Sequence, residues 1–425
     1  MQITTPSPGM RVGLSEIRLD DVNLYTSGDP HLVWQTLRTE CPVFWQDLGD
    51  GGSGFWAVTL WADVRRVLGE HATFTSERGT AISMLAGSDL AAGKMMQSTD
   101  PPRHRELRTS IGTPFSAPSI QSFRSRIMSF VREIVNSASD GDTWDIAKGF
   151  SRLPTRTAAM LMGLPDDDVD RLLCLSYSSL APLDPEYALG TEAATLFLAH
   201  SQLLEYFTKV IEERRKKASD DVISHLINIE INGCRLNDSE LYLNCVSLIL
   251  GAVVTTSHVI SATIMELINS NAGEGRWPRN IQIGELVDEA LRWSSPVTHF
   301  MRRARRDTEI GGIKIMEGDA VTAWIASANR DPDIFEQPYA LNLMRSPNRH
   351  VTFGSGPHLC VGSNLARMML THSFAELISS IESFESAAPV RHLVSNEIAG
   401  IVSMPLRVRL RSPQDRAITY SRVVS

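Results

Sequence analysis

One cysteine stands in a glycine-rich segment whose composition suits metal chemistry. The segment runs from His350 to Gly362, and Cys360 is its only cysteine. Flanking glycines let the backbone approach a flat ligand and direct amide N–H groups at the sulfur, and the start of a following helix adds its positive dipole end. These features favour a thiolate, a soft ligand suited to iron. An ordinary glycine-rich turn with an inert, buried cysteine has the same spacing.

Residues 353–362 resemble the haem-binding signature of the cytochrome P-450 family, the haem-thiolate monooxygenases, at every defined position. Three further segments support this resemblance. Residues 100–108 resemble the segment entering the third helix of soluble bacterial members, residues 289–292 resemble the family's Glu-x-x-Arg pair, and residues 328–338 resemble the segment leading to the haem loop. Together, in the family's order, the four motifs span residues 100–367.

The resemblance implies a haem b with Cys360 as its axial thiolate and as the sole protein ligand of the metal. The other cofactor-binding residues it implies are His104, Arg108, Arg302 and His358, at the propionates, and Phe353, Gly354 and Gly362, in the cysteine loop. Cations facing two carboxylates suit this task, because charge-assisted hydrogen bonds are the stronger kind. In the alternative interpretation, Arg302 belongs to a solvent-facing arginine run, and His104 is a surface histidine.

Glu289 and Arg292 lie at i and i+3 and can pair on one helical face. Alone they would be a surface ion pair worth under about 1 kcal/mol. In the family they belong to a buried structural triad, whose third member would fall at position 340. Here that residue is Ala340, and Arg345 is a candidate substitute.

The family's oxygen-activating helix carries two small residues, a variable residue, an acid and a threonine. The corresponding residues are Gly251 and Ala252, which leave room for dioxygen, and Thr255, which can hydrogen-bond it. The acid is replaced by Val254, which can neither relay nor bind a proton. In one interpretation, water, Thr256 or a polar substrate restores proton delivery, and the product is hydroxylated or epoxidised. In the other, the chemistry is oxidative coupling, cyclisation or a peroxide-driven oxidation.

By resemblance, four segments surround the substrate: residues 78–98, 251–255, 297–300 and 398–404. Their side chains indicate a largely apolar pocket with a few orienting polar groups. The candidate pocket residues are Met84, Leu85, Val297, His299, Phe300, Ile401 and Val402. His299 could orient a polar group of the substrate or be a satisfied core histidine.

Helical periodicity predicts the elements that position these residues. Apolar residues at 120–134 predict a helix with Ser119 as N-cap, and further helices are predicted at about 239–269, 285–293 and after Gly362. Strands are predicted at 55–59 and, interrupted by turns, at 308–326. The sequence therefore predicts a mainly α fold with a small β-sheet region. The haem of the single-domain P-450 fold would lie between the long central helix and the helix after Cys360, with extended tails at 1–15 and 411–425.

Composition excludes several classes of protein. The chain has 425 residues, 41 Lys plus Arg and 49 Asp plus Glu, and a net charge of −8, which disfavours nucleic acid as a partner. Five cysteines without a CxxC pair disfavour a disulfide framework or a zinc site. No targeting sequence is recognised at the N-terminus, and no membrane association is expected. A cytoplasmic monomer is expected, acting on a free small molecule or one tethered to a carrier protein.

The source of electrons follows from the resemblance. No cysteine cluster supplies a second redox centre, so electrons from NAD(P)H are expected to arrive through a separate ferredoxin and its reductase. Arg105, Arg108 and Arg367 could form a basic docking face despite the acidic total, because the local field governs docking.

Overall fold

Helices form most of the molecule. The computed structural model of the chain describes residues 1–416 and 419, apart from 8, 50–52, 86, 88, 272 and 279. The α-helices are α1 (Val22–Thr26), α2 (Pro30–Glu40), α3 (Trp61–Gly69), α4 (Arg103–Ile111), α5 (Ala117–Gln121), α6 (Arg124–Asn136), α7 (Ile146–Leu161), α8 (Val169–Leu180), α9 (Glu192–Lys216), α10 (Val222–Asn228), α11 (Asp238–Val253), α12 (Thr256–Asn269), α13 (Ile283–Ser294), α14 (Ile325–Ala328) and α15 (Ser363–Ser380).

Short strands form small sheets beside the helices. The strands are β1 (Val43–Asp47), β2 (Gly54–Val58), β3 (Phe74–Thr75), β4 (Thr143–Asp145), β5 (Glu230–Ile231), β6 (Cys234–Arg235), β7 (Glu274–Arg276), β8 (His299–Ala304), β9 (Thr308–Ile310), β10 (Ile313–Ile315), β11 (Ala320–Trp324), β12 (Ile381–Ser386), β13 (Arg391–His392), β14 (Ile401–Ser403) and β15 (Pro405–Leu410). The largest sheet has the order β1-β2-β11-β8-β3, and a second has the order β4-β15-β12-β7. Only β2 and β11 pair in parallel among the strands of the largest sheet.

The central helix predicted at about 239–269 is present, but it is interrupted. A capping box between Asn237 and Glu240 starts α11. The break falls at Val254 and Thr255, where Thr255 has φ −126° and ψ −56°, outside the helical region. The two halves contact α7, α8, α9, α13 and α15, so this pair forms the axis of the core.

The helix predicted at 120–134 is also divided, into α5 and α6. Ser119 lies inside α5, and the residue before α6 is Phe123, which makes no side-chain cap. The predicted N-cap was therefore wrong, because the apolar periodicity runs unchanged across the break at residues 122–123. The helices at 285–293 and after Gly362 and the strand at 55–59 are confirmed, each to within a few residues.

One apolar cluster unites most of the molecule and supports the single-domain fold. It draws its buried residues from Ile3 to Val408 and includes the apolar faces of α7, α11, α12, α13 and α15. Two smaller clusters lie on opposite faces of the largest sheet. Met301 and Trp324 belong to the cluster on the face covered by α2, and Val321 and Ala323 belong to the cluster on the face covered by α3.

The chain ends differ from the extended tails expected from the sequence. Met1 is 4% exposed and Ile3 is 8% exposed, because both pack into apolar clusters, and residues Leu14–Glu16 form a 3₁₀ turn. At the other end, residues 413–416 are helical. Residues 417, 418 and 420–425 of that expected tail lie outside the described residues.

Among the described residues, one stretch is long and apolar enough to cross a membrane by length and composition alone. It is Asp238–Asn269, with a mean hydropathy of 1.8, and 67% of its most apolar window is buried inside the fold. This stretch is the α11–α12 pair at the centre of the core. Its apolar character is therefore explained by helix–helix packing.

Candidate active site

The loop that carries Cys360 is fixed by a glycine contact with α3. Gly356 has φ +71°, and a Cβ atom there would lie 2.5 Å from the Cα of Gly69, so only glycine fits. The Cys360 N–H donates to the Phe353 carbonyl at 2.8 Å, which closes the loop. Gly362 is the N-cap of α15, and the half-buried sulfur therefore lies just before a helix N-terminus.

Opposing influences act on the Cys360 thiol. Burial raises its pKa, and the Gly362 N–H and the Arg108 guanidinium each act to lower it. The groups that lower the pKa are those that stabilise a thiolate. A cationic metal at the sulfur would act in the same direction.

The four side chains predicted to bind the haem propionates lie together beside this loop. The imidazole rings of His104 and His358 lie 4.2 Å apart between centroids, and His358 Nε2 lies 3.2 Å from the Ser76 hydroxyl. Arg108 donates to the Leu359 carbonyl, next to Cys360. Arg302 is 4% exposed and donates to the Met301 carbonyl at 2.8 Å.

These four residues, His104, Arg108, Arg302 and His358, form a cradle with an excess of positive charge. The carboxylate that acts on Arg302 and His104 is buried Asp100, which itself pairs with Arg305. Within the described part of the chain, neither Arg108 nor Arg302 forms an ion pair, and buried His104 Nδ1 has no hydrogen-bond partner. Burial, assisted by the neighbouring cations, lowers the pKa of His104 to about 4 and that of His358 to about 2. Burial also lowers the pKa of Arg302 to about 10, so it stays cationic at neutral pH. Two carboxylates would supply the missing acceptors and negative charge, so these residues fit a haem.

A second buried charge cluster contains a carboxylate of its own, that of Glu289. Arg292 makes a bidentate pair with Glu289, both bonds measuring 2.7 Å, and neither side chain is exposed. Arg345 Nε lies 3.1 Å from Glu289 Oε2, and the Asn348 amide donates to the same oxygen at 3.0 Å. Arg345 thus occupies the third place of the triad, which the sequence left open because Ala340 stands at the expected position.

The break between α11 and α12 carries the residues predicted to leave room for dioxygen. Gly251 is exposed although its helix runs through the core, and open space surrounds the position where its Cβ would be. The Thr255 hydroxyl lies 3.4 Å from the Gly251 carbonyl oxygen, on the same side as the gap. Ala252 is partly buried, whereas Val254 is 2% exposed and packs into the central apolar cluster.

The predicted pocket residues divide between two sides of the molecule. Val297, Ile401 and Val402 pack on the central cluster with α11 and α12. Phe300 shares a sheet face with Arg302, because side chains alternate along β8. Met84, Leu85 and His299 lie with the cluster on the α2 side.

His299 has a partner in the interior. Its Nδ1 lies 2.9 Å from the Thr298 hydroxyl, and its ring is 4.5 Å from that of Trp324. Burial lowers the pKa of His299 to about 3. Among the described residues its Nε2 is buried without a hydrogen-bond partner, so only one of its two ring nitrogens is satisfied, and a role of His299 in orienting the substrate stays a prediction.

Sequence reasoning missed a polar contact above the helix break. His258 Nε2 lies 3.2 Å from the Tyr177 hydroxyl of α8, and His258 Nδ1 lies 3.2 Å from the Ile401 carbonyl oxygen. All three residues are buried, so the contact joins α8, α12 and β14. The available signal was the polar patch 255–258 in an apolar helix, but its partners are distant in sequence.

Comparisons with known proteins agree with this geometry. Residues 284–407 match the family model described as Cytochrome P450. The chain is 32% identical over 399 residues to Cytochrome P450 NovI of Streptomyces niveus, covering 93% of this chain and 97% of that protein. It is 30% identical over 412 residues to a steroid C26-monooxygenase of Mycobacterium tuberculosis, covering 94% and 93%.

A solved structure shares the whole fold. P450 OxyD, which is involved in the biosynthesis of vancomycin-type antibiotics, superposes with a TM-score of 0.80 at 29% identity, covering 93% of this chain and 100% of that one. The chain is therefore a member of the cytochrome P450 family, whose haem-thiolate monooxygenases hold iron through a cysteine. Within the described residues, no group of three or more His, Cys, Asp or Glu side chains could hold a metal ion by itself.

Proposed function

We propose that this monooxygenase holds haem b through Cys360 and hydroxylates or epoxidises a small, largely apolar organic molecule. The unbalanced cradle of Arg302, Arg108, His104 and His358 beside the cysteine loop is the observation that carries the assignment. Arginine side chains removed from water without a carboxylate are costly, so the cradle is explained by an anionic ligand. The two propionates of haem meet that requirement.

When bound, the haem would supply the activation of dioxygen, with electrons that originate from NAD(P)H. Arg302 and Arg108 would hold its carboxylates, and His104 Nδ1 would gain the acceptor that it lacks. The Gly362 amide and the Arg108 charge would hold Cys360 as a thiolate. Gly251 and Ala252 leave room for a small molecule, and the Thr255 hydroxyl can hold a proton at that opening.

Proton supply is where this chain departs from the family pattern. The Val254 side chain is packed among apolar groups and offers no path for a proton. Water, Thr256 or a polar group on the substrate would then have to deliver protons to Thr255. The alternative function, oxidative coupling, cyclisation or a peroxide-driven oxidation, is favoured by the same substitution.

A carbon monoxide spectrum tests the cofactor assignment. The reduced, carbon monoxide-bound holoprotein should show the red-shifted Soret band of thiolate ligation, and Cys360→Ala should lose it. Persistence of that band in Cys360→Ala would contradict the assignment. Turnover with a ferredoxin and its reductase, compared with turnover supported by peroxide, then separates the monooxygenase from a peroxide-dependent enzyme.

The substrate is proposed to belong to secondary metabolism. The similarity to OxyD, involved in making antibiotics, supports this setting, whereas the similarity to a steroid C26-monooxygenase points to lipid-like molecules. A spectral-shift screen should compare amino-acid-derived, macrolide, terpene and fatty-acid compounds, each free and as a carrier-protein conjugate. A response restricted to conjugates would assign a tethered substrate.

We also propose that a monomer in the cytoplasm receives electrons at the face carrying Arg105. Arg105 is exposed on α4, one turn from Arg108, whereas Arg367 forms an ion pair with Asp288. Arg105→Glu should lower ferredoxin-supported turnover at low salt and leave peroxide-supported turnover unchanged. The matched control is Lys216→Glu, an exposed charge reversal at the end of α9. Equal losses of ferredoxin-supported and peroxide-supported turnover in Arg105→Glu would contradict docking at this face.

A further inference from the structure

One carboxylate, that of Glu397, stands where three segments predicted to surround the substrate meet. The Ser83 hydroxyl, from the 78–98 segment, donates to Glu397 Oε1 at 2.7 Å. The Glu397 carbonyl oxygen accepts the Thr298 N–H at 2.9 Å, and Ile398 forms a β-bridge with Val297. The Glu397 backbone is therefore fixed to the 297–300 segment, and its side chain is only half-buried.

Glu397 has no positively charged partner within the described part of the chain. Two other acids, Asp184 and Glu186, each form an ion pair with Arg391. The charged group that acts on Glu397 is another carboxylate, Glu192, at the start of α9. Burial is the main cause that raises the pKa of Glu397, and Glu192 adds to it. The hydrogen bonds from Ser83 act in the opposite direction and lower this pKa, so the charged group acting on Glu397 is of like sign and its stabilising partners are neutral.

We propose that Glu397 determines specificity by receiving a positively charged amine of the substrate. This inference rests on the proposed function and adds the substrate class: an apolar molecule that carries an ammonium group. Ser83 occupies one carboxylate oxygen and leaves acceptor capacity on the other. A cation in this place would offset both the desolvation of Glu397 and its repulsion by Glu192.

The alternative is a structural role, in which Glu397 only tethers the 3₁₀ turn Ile82–Met84 through Ser83. A tether would act equally on every ligand, whereas a charge receptor discriminates by ligand charge. The experiment therefore compares two ligands of equal shape and different charge.

The probes are (4-phenylbutyl)trimethylammonium and its neutral isostere, in which carbon replaces nitrogen. A quaternary ammonium has no lone pair, so it cannot ligate the iron and disguise the result. Affinity is measured on the holoprotein by the substrate-induced spectral shift and by calorimetry. The wild-type chain should bind the ammonium probe about tenfold more tightly than the isostere, the size expected of one charge-assisted contact.

Glu397→Gln should reduce the affinity for the ammonium probe about tenfold and leave that for the isostere within about twofold. Ser83→Ala is the matched control, because it removes the tether but keeps the charge, and it should preserve the preference for the ammonium. Equal affinities in the wild type, or equal weakening of both probes by Glu397→Gln, would overturn the proposal. The proposed function is judged separately by the carbon monoxide spectrum, which Glu397→Gln should leave unchanged.

Discussion

Two arginine clusters of the molecule differ in whether a carboxylate lies within ion-pair distance of the cations. In the Glu289–Arg292–Arg345 cluster, one carboxylate accepts from two guanidinium groups, an amide side chain and the Asn342 N–H. In the cradle of His104, Arg108, Arg302 and His358, no carboxylate of the described residues lies within ion-pair distance of either arginine, although Asp100 acts on Arg302. His104 and Arg302 are buried, as Glu289 and Arg292 are, whereas Arg108 and His358 are partly buried.

The difference teaches that an internal carboxylate separates a structural cluster from a ligand-binding one. Removing the carboxylate from a buried ion-pair network leaves uncompensated charge in the folded protein, so stability falls. Removing a cation from a cradle without a paired carboxylate relieves a desolvation cost of the haem-free protein, and only ligand affinity falls. Substitutions in the two clusters should therefore have opposite effects on the haem-free protein.

The largest effect is expected at the cluster of Glu289, Arg292 and Arg345. Glu289→Gln leaves Arg292, which is fully buried, and Arg345 without a carboxylate. The free energy of unfolding should fall by about 3–5 kcal/mol, measured by urea denaturation of the haem-free protein. Glu205→Gln, at the exposed pair with Lys209, is the control and should cost under about 1 kcal/mol. Equal costs for the two variants would contradict the structural role.

The next effect is expected at the cradle. Arg302→Leu should accelerate haem loss to a competing apo-globin by about 30–150-fold, because about 2–3 kcal/mol of charge-assisted bonding is removed. The stability of the haem-free protein should stay the same or rise. Arg303→Leu, on the adjacent residue and the opposite sheet face, is the control and should not change haem loss. A large stability loss in haem-free Arg302→Leu would contradict the distinction between the clusters.

The two clusters also show what the sequence could predict. The Cys360 loop, the Glu289–Arg292 pair and the cradle residues were accessible because each motif is local and has fixed spacing. Arg345 was left open, since the loop that carries it reaches Glu289 of α13 by a tertiary contact between residues distant in sequence. The faces on which His299 and Met84 lie were not predictable for a related reason: without the register of β8 and β11, the sequence does not show which side of the sheet a residue faces.

A buried carboxyl group without either a partner or a ligand would sharpen the comparison. Val254→Asp restores the family's acid, but it places a carboxyl in the central apolar cluster. The cost to the free energy of unfolding should be about 2 kcal/mol, and the acid should remain largely protonated at neutral pH. Val254→Asn, of equal size, separates the effect of polarity from that of charge. A higher ratio of product to peroxide in Val254→Asp alone would show that position 254 delivers protons despite its packing.

The smallest effect is expected at the neutral contact between α8 and α12. Tyr177→Phe leaves His258 Nε2 buried without its 3.2 Å partner, which should cost about 1 kcal/mol. His258→Phe removes the other partner of this bond. The double variant should lower the free energy of unfolding by less than the sum of the two single variants, because both single variants remove the same bond. Additive costs would mean that the contact contributes no coupling. His258 also contacts the backbone of Ile401, a candidate pocket residue. Both single variants should therefore alter substrate affinity more than haem retention. That result would assign the contact to the pocket and separate it from both charge clusters.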